Sequence, residues 1–134
     1  AADALPHVFG YAVGLDMTRR DLQNDMKKQG RPWCIGKAFE QSAPIGPITP
    51  AAQAGDVAQA EIFVQVNGQA RQRSSVAKLI WNIAETIEHL SAAWTLQPGD
   101  LIFTGTPEGV AAVVAGDVLS GGVTGLEPIR VRVR

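Results

Sequence analysis

The dipeptide Asn67-Gly68 in "EIFVQVNGQARQ" constrains this chain more than any other short stretch. Ile62, Val64 and Val66 recur at every second position ahead of it, the period of a strand with one buried face. Asn and Gly both tolerate positive φ, which the two-residue turn matched to strand twist demands. The chain is therefore expected to double back there as an antiparallel hairpin. The last residues, "PIRVRVR", alternate as a further strand, with Arg130, Arg132 and Arg134 on a solvated face that also protects an edge. "LQPGDLIFTGTPEGV" predicts a turn and then a strand ending at Thr104, Gly105, Thr106 and Pro107.

Helices are confined by proline and glycine. The stretch from Pro32 to Pro50, "PWCIGKAFEQSAPIGPITP", holds four prolines and two glycines, so no long helix runs through it and irregular structure is expected. A short helix is predicted over about residues 19–29, started by the T-x-x-D pair Thr18 and Asp21, lined by Leu22 and Met26 and stopped at Gly30. One long helix is predicted from Ser75 to Trp94, capped by Ser74 or Ser75. In it Val76, Leu79, Ile80, Ile83, Ile87 and Leu90 form a stripe expected to be buried. No internal repeat or low-complexity segment interrupts this order. Short strands, one long helix and glycine-rich corners together indicate an α+β fold, mainly β, in a single domain spanning 1–134.

Composition removes several functional classes. A formal net charge of −1 leaves no basic footprint for nucleic acid, so no nucleic-acid partner is expected. No apolar run of about 20 residues occurs, so no membrane partner is expected either. The single Cys34 cannot form an internal disulfide, which fits a reducing, cytoplasmic location. Beside Trp33 it is expected to be buried and inert. The start "AADALPHVFG" has neither the basic nor the apolar region of a signal peptide, and it lacks an initiator Met.

Three places carry candidate chemistry. In "VFGYAVGLD", Phe9, Tyr11, Val13 and Leu15 fall on one strand face, and Gly10, Ala12, Gly14 and Asp16 on the other. A carboxylate ending a face of small residues has open space before it, which suits a ligand or metal; a cap on the following helix is the alternative. Arg19 and Arg20 add positive charge at that helix start. Lys37, in "IGKAF", is either a snorkelling side chain or a cation held at a site, where it would partner a carboxylate or oxyanion. Thr104 and Thr106 flank Gly105, where backbone could approach a ligand closely or simply turn. Glu85 and His89, one helical turn apart, are better explained as solvated side chains than as a metal pair, since zinc sites need three or four ligands. His7 is isolated and suits a solvated or capping role. No glycine-rich phosphate loop, CxxC pair or G-x-S-x-G elbow is present.

"YAVGLDMTRRDLQ", "GRPWCIGKAFEQSAPIGP", "VNGQARQ" and "GDLIFTGTPEGV", in that order, resemble the catalytic domain of the fumarylacetoacetate hydrolase family. The D-M-T-x-R-D-x-Q form is similar to that of its acylpyruvase and fumarylpyruvate hydrolase branch. The resemblance implies a mixed β-sandwich roll with one long helix. It also implies Mg²⁺ or Mn²⁺ held by an aspartate and an E-x-E pair, and a homodimer. Asp16 matches the aspartate ligand, Lys37 the active-site lysine, Arg20 and Gln23 the substrate-contacting residues, and Thr106 the threonine of the T-G-T-P loop. Arg19 falls on a variable position, and Gln41 on one whose role varies. No E-x-E precedes Asp16, and the family's upstream His-Glu pair has no counterpart. This chain is therefore expected to be the C-terminal part of a longer catalytic domain and to be silent alone.

The activity implied is hydrolysis of a C–C bond in a small β-diketo acid, such as an acylpyruvate. In such an enzyme an oxygen-ligated metal chelates the pyruvyl end and the upstream pair activates water. Lys37 would stabilise developing negative charge, while Arg20, Gln23 and Thr106 orient the substrate. Oxaloacetate decarboxylation or an isomerisation in the same family, and a non-catalytic subunit that keeps the fold, are the alternatives.

Overall fold

The computed structural model describes residues 3–134. Its centre is the hairpin anticipated at Asn67-Gly68, where β3 (Glu61–Val66) pairs antiparallel with β4 (Gln69–Ser75). Asn67 and Gly68 adopt φ of 52° and 80°, the two positive values that the turn requires. On its other edge β3 pairs with β5 (Val118–Val123), and β5 pairs with β6 (Ile129–Arg132), giving an antiparallel sheet in the order β4-β3-β5-β6. The arginine-bearing C-terminal strand lies at the edge, with Arg130 and Arg132 exposed and Ile129 buried, as its alternation requires.

A second, two-stranded sheet joins β1 (Gly10–Tyr11) to β2 (Thr49–Pro50). The regular pairing is short because prolines 44, 47 and 50 bring no N–H to the ladder. Even so, the two segments stay side by side beyond it. Gly46 donates to the Val13 carbonyl, Leu15 to the Pro44 carbonyl at 2.9 Å, and Met17 to the Ser42 carbonyl at 2.7 Å. The alternation read over 8–16 is thus extended chain, and its inward face is Val13 and Leu15. These two pack with Val66, Leu119 and Ile129 into the buried core. Phe9, at the outer end of the same face, is 78% exposed.

The fold is α+β and mainly β, with its strands in two sheets. Helix α1 (Arg20–Lys28) falls where expected and ends before Gly30, whose φ is +63°. A four-residue helix, α2 (Cys34–Lys37), interrupts the segment expected to be irregular.

Three expectations need correction. The long helix does not start at Ser75: β4 continues to that residue, a single 3-10 turn follows, and α3 spans Ile83–Ala93. Its true start is a capping box in which Asn82 Oδ1 accepts from the Glu85 backbone N–H and the Glu85 carboxylate accepts from the Asn82 N–H. None of its residues is fully buried: Ile83, Ile87 and Leu90 are half-buried among the described residues, and Ile80 is 97% exposed. Residues 101–106 join no strand ladder among the described residues. Strand β5, by contrast, was unanticipated, because Gly121 and Gly122 weaken any strand pattern. They are needed for space: a Cβ at Gly122 would sit 2.6 Å from the Phe63 ring, and one at Gly121 would crowd Ile129.

Candidate active site

The extended segment leaves the core at Leu15, so Asp16 projects to the opposite side, just before α1. Lys37 reaches it from the end of α2: its Nζ lies 2.7 Å from Asp16 Oδ1 and donates to Thr18 Oγ1 at 2.7 Å. The side chains of Lys37 and Asp16 are 31% and 44% exposed, so both are held yet reachable from solvent. Lys37 is therefore a cation held by named partners and not a snorkelling side chain. Thr18 was expected to cap α1. Instead Arg19 occupies the cap position without a side-chain bond, and the Thr18 hydroxyl is taken by Lys37.

The two helices are locked together by small geometry. Gly36, beside Lys37, is buried, and a Cβ there would come within 2.8 Å of the Gln23 backbone nitrogen. Arg19 N–H donates to the Gly36 carbonyl at 2.9 Å, and the Arg19 guanidinium stacks 4.3 Å over the Phe39 ring. Gln23 is the buried residue of α1, at 4% exposure, and its Oε1 accepts from Arg20 Nη1 at 3.2 Å. Arg20, Gln23, Asp16 and Lys37 thus meet at one corner. Gln41 adopts a left-handed φ of 60° and is exposed.

Thr106 is held elsewhere. Its hydroxyl accepts from Gln72 Nε2 of β4 at 2.8 Å, and no bond joins it to Asp16 or Lys37. The segment before it does reach the Asp16 strand. A Cβ at Gly14 would come within 2.7 Å of the Phe103 ring, so the bare face that drew attention to Asp16 makes room for Phe103. In the sequence Gln72 is only the polar tail of the hairpin motif, and nothing there signals its bond to Thr106.

Asp16 offers a carboxylate oxygen, a hard donor of the class that Mg²⁺ and Mn²⁺ take. The described residues contain no group of three or more His, Cys, Asp or Glu able to hold a metal, so Asp16 can be one ligand and not a complete set. Glu85 and His89 each have another partner. The carboxylate is engaged in the α3 cap, and the imidazole stacks on Trp81 with ring centroids 4.0 Å apart. Cys34 is exposed and free, which corrects the expectation of a buried thiol. His7 is exposed in a short 3-10 turn. No described helix is long and apolar enough to cross a membrane.

The family model for the fumarylacetoacetate hydrolase C-terminal region matches residues 1–134. This chain belongs to the fumarylacetoacetate hydrolase family. It is similar to the fumarylpyruvate hydrolase of a Ralstonia species, at 53% identity over 94% of this chain and 65% of that protein. It is also similar to the mitochondrial oxaloacetate tautomerase of Rattus norvegicus, at 39% identity over 98% of this chain and 60% of that one. Among solved structures, the fumarylpyruvate hydrolase of Pseudomonas aeruginosa, in complex with Mn²⁺ and pyruvate, superposes with a TM-score of 0.95. That alignment has 57% identity and covers 98% of this chain and 57% of the other. The chain thus spans roughly three-fifths of the relatives it matches. The fold expected from the family resemblance is the fold observed.

Proposed function

We propose that this chain supplies part of the active site of a divalent-metal-dependent hydrolase that cleaves the C–C bond of a β-diketo acid. The substrate class is an acylpyruvate such as fumarylpyruvate, and the products are pyruvate and a carboxylic acid. The observation that carries the reading is the corner where Lys37 Nζ bridges the Asp16 carboxylate and the Thr18 hydroxyl, beside Arg20 and Gln23. The similarity to an enzyme solved with Mn²⁺ and pyruvate supports the same substrate end.

Asp16 would be one oxygen ligand to Mg²⁺ or Mn²⁺, with the remaining ligands outside the residues described. When bound, such an ion supplies Lewis-acid stabilisation of negative charge on substrate oxygens. Water adds to the distal carbonyl, the bond between that carbon and the methylene breaks, and its electron pair passes to the pyruvyl fragment as an enolate. Protonation of the former methylene carbon gives pyruvate, and the acyl carbon leaves as the carboxylic acid. Lys37 stabilises the developing enolate charge, its position set by Asp16 and Thr18 before the charge appears. Arg20 pairs with a substrate carboxylate while Gln23 holds its guanidinium in place. Thr106 orients a substrate oxygen. A homodimer, which rests on the family resemblance, a single domain over 1–134, which rests on chain length and element pattern, and a cytoplasmic location, which rests on the lone Cys34, belong to the same proposal.

The test is Asp16→Asn in the protein of full natural length, with Mn²⁺ affinity measured by calorimetry and acylpyruvate turnover followed by loss of the diketo absorbance. Mn²⁺ binding is expected to weaken by on the order of 10-fold or more, because affinity falls with the charge count of the ligands. Unchanged affinity in a folded variant overturns the assignment. A second reading, tautomerisation of oxaloacetate, draws on the Rattus relative and on the enolate that both reactions share. Oxaloacetate decarboxylation, another family isomerisation and a non-catalytic subunit complete the alternatives. Relative turnover of acetylpyruvate and oxaloacetate by the same preparation, with the oxaloacetate product identified as its other tautomer or as pyruvate and CO₂, separates them.

A further inference from the structure

Gln72 combines a position, a pair of partners and a chemistry that the proposed reaction leaves unused. It lies in β4 between the exposed Arg71 and Arg73 and is itself half-buried. The ladder pairs Val64 with Gln72 but Gln65 with Ala70, so Arg71 is the extra residue of a bulge. A bulge re-aims the side chains next to it, and Gln72 is aimed at the T-G-T-P loop. Its Nε2 lies 2.8 Å from Thr106 Oγ1 and 2.6 Å from the Pro107 carbonyl oxygen. The same loop returns to the bulge at Gly109, whose φ of +97° and close approach to the Arg71 carbonyl leave no room for a side chain. Both ends of the loop are thus fixed on one irregularity in β4.

The donor direction follows from the partners. A carbonyl oxygen only accepts, so the atom facing Pro107 must be the amide nitrogen, and its two hydrogens serve both contacts. The Thr106 hydroxyl therefore accepts from Gln72. A hydroxyl has a single proton, and accepting one bond polarises its O–H for donation along another. We infer that Gln72 is a positioning residue for Thr106, holding its hydroxyl in place and turning its proton outward so that Thr106 meets its ligand as a hydrogen-bond donor. The ligand atom is then an oxygen acceptor, a carboxylate or enolate oxygen in the proposed substrate class. This assignment rests on the proposed role of Thr106 at the substrate.

The experiment compares Gln72→Met, which keeps length but has no donor, with Thr106→Val and the double variant in the Mn²⁺-loaded protein of full natural length. Expected is a loss of about tenfold in kcat/KM for each single variant. The double variant should be no worse than Thr106→Val alone, since both remove one device. Gln72→Glu should lose at least as much as Gln72→Met, because a carboxylate cannot donate to Pro107. Wild-type kcat/KM in Gln72→Met, or losses that multiply in the double variant, overturn the inference. If the wild-type protein turns over no acylpyruvate, the functional reading falls, and amide exchange decides the role of Gln72 separately. Faster exchange at Gly105, Thr106 and Glu108 in Gln72→Met supports it, and unchanged exchange there overturns it.

Discussion

The corner around Asp16 and the helix α3 are built in opposite ways. The corner has weak local signals: a four-residue helix, an α1 start without a side-chain cap, and a proline-broken strand partner. It is held by contacts between residues far apart in sequence, such as Lys37 with Asp16 and Thr18, and Gly36 against Gln23. Helix α3 has a complete capping box, a helical apolar period and no buried residue at all. A capping box fixes where a helix starts, but a helix of 11 residues is marginal on local terms alone and draws most of its stability from what packs on its face. Burial is a separate property, set by what the rest of the fold brings alongside.

The largest expected effect probes the corner. Lys37→Met should lower turnover by on the order of 10²-fold or more, the scale for removing a group aimed at developing charge. It should change stability little, because an ion pair this exposed contributes only about 0–1 kcal/mol. Steady-state kinetics and thermal melting on the same preparations check both halves. Retained turnover with a lowered melting temperature would make the corner structural, and the contrast with α3 would then be one of packing alone.

Next in size is a matched pair of leucines. Leu119 of β5 is 5% exposed and sits in the core with Val13, Leu15, Val66 and Ile129. Leu119→Ala should cost about 2–5 kcal/mol, the range for a buried leucine that leaves a cavity. Leu90 of α3 is only half-buried, and Leu90→Ala should cost less than about 1 kcal/mol, helped by the helix propensity of alanine. Denaturant titration measures both. A cost for Leu90→Ala equal to that for Leu119→Ala breaks the comparison, since it would mean that the α3 face is covered in the intact protein.

The same contrast explains what could be read in advance. The hairpin at Asn67-Gly68, the Gly30 stop and the alternating C-terminal strand depend on neighbours within a few residues, and each was legible. The start of α3 has a local signal too, N-I-A-E at 82–85, a cap followed three residues later by an acid, but the apolar stripe reaching back to Val76 masks it. Strand β5 was hidden because its glycines serve the Phe63 ring and Ile129, neighbours that only the fold supplies. For the proposed site, the family motifs point to Asp16, Lys37, Arg20, Gln23 and Thr106. They could not show that Lys37 takes the hydroxyl of Thr18 away from helix capping, or that Thr106 is tied to Gln72. Those are pairings across 19 and 34 residues, and no periodicity carries them.

The smallest expected effect lies where the chain after α3 re-enters the sheet. Asp117 accepts from the Val114 backbone N–H at 2.9 Å and from Asn67 Nδ2 at 2.8 Å, tying the hairpin turn to the start of β5. These bonds, the backbone one foremost, hold its carboxyl below the usual aspartate range. A depressed folded-state value means that the stabilisation is fully present above the unfolded aspartate range, near about pH 4, and is lost as pH falls through the folded value. Glu61, lowered by its bond from Arg73, acts in the same direction but is common to wild type and variant. Asp117→Asn should therefore be slightly less stable than wild type at neutral pH and should lose less on acidification, so the two melting curves converge below about pH 4. Amide exchange at Val114 should rise in wild type over the same window. Parallel pH profiles would mean that the carboxylate does not fasten this entry, and that β5 is held by its ladder bonds and core contacts alone.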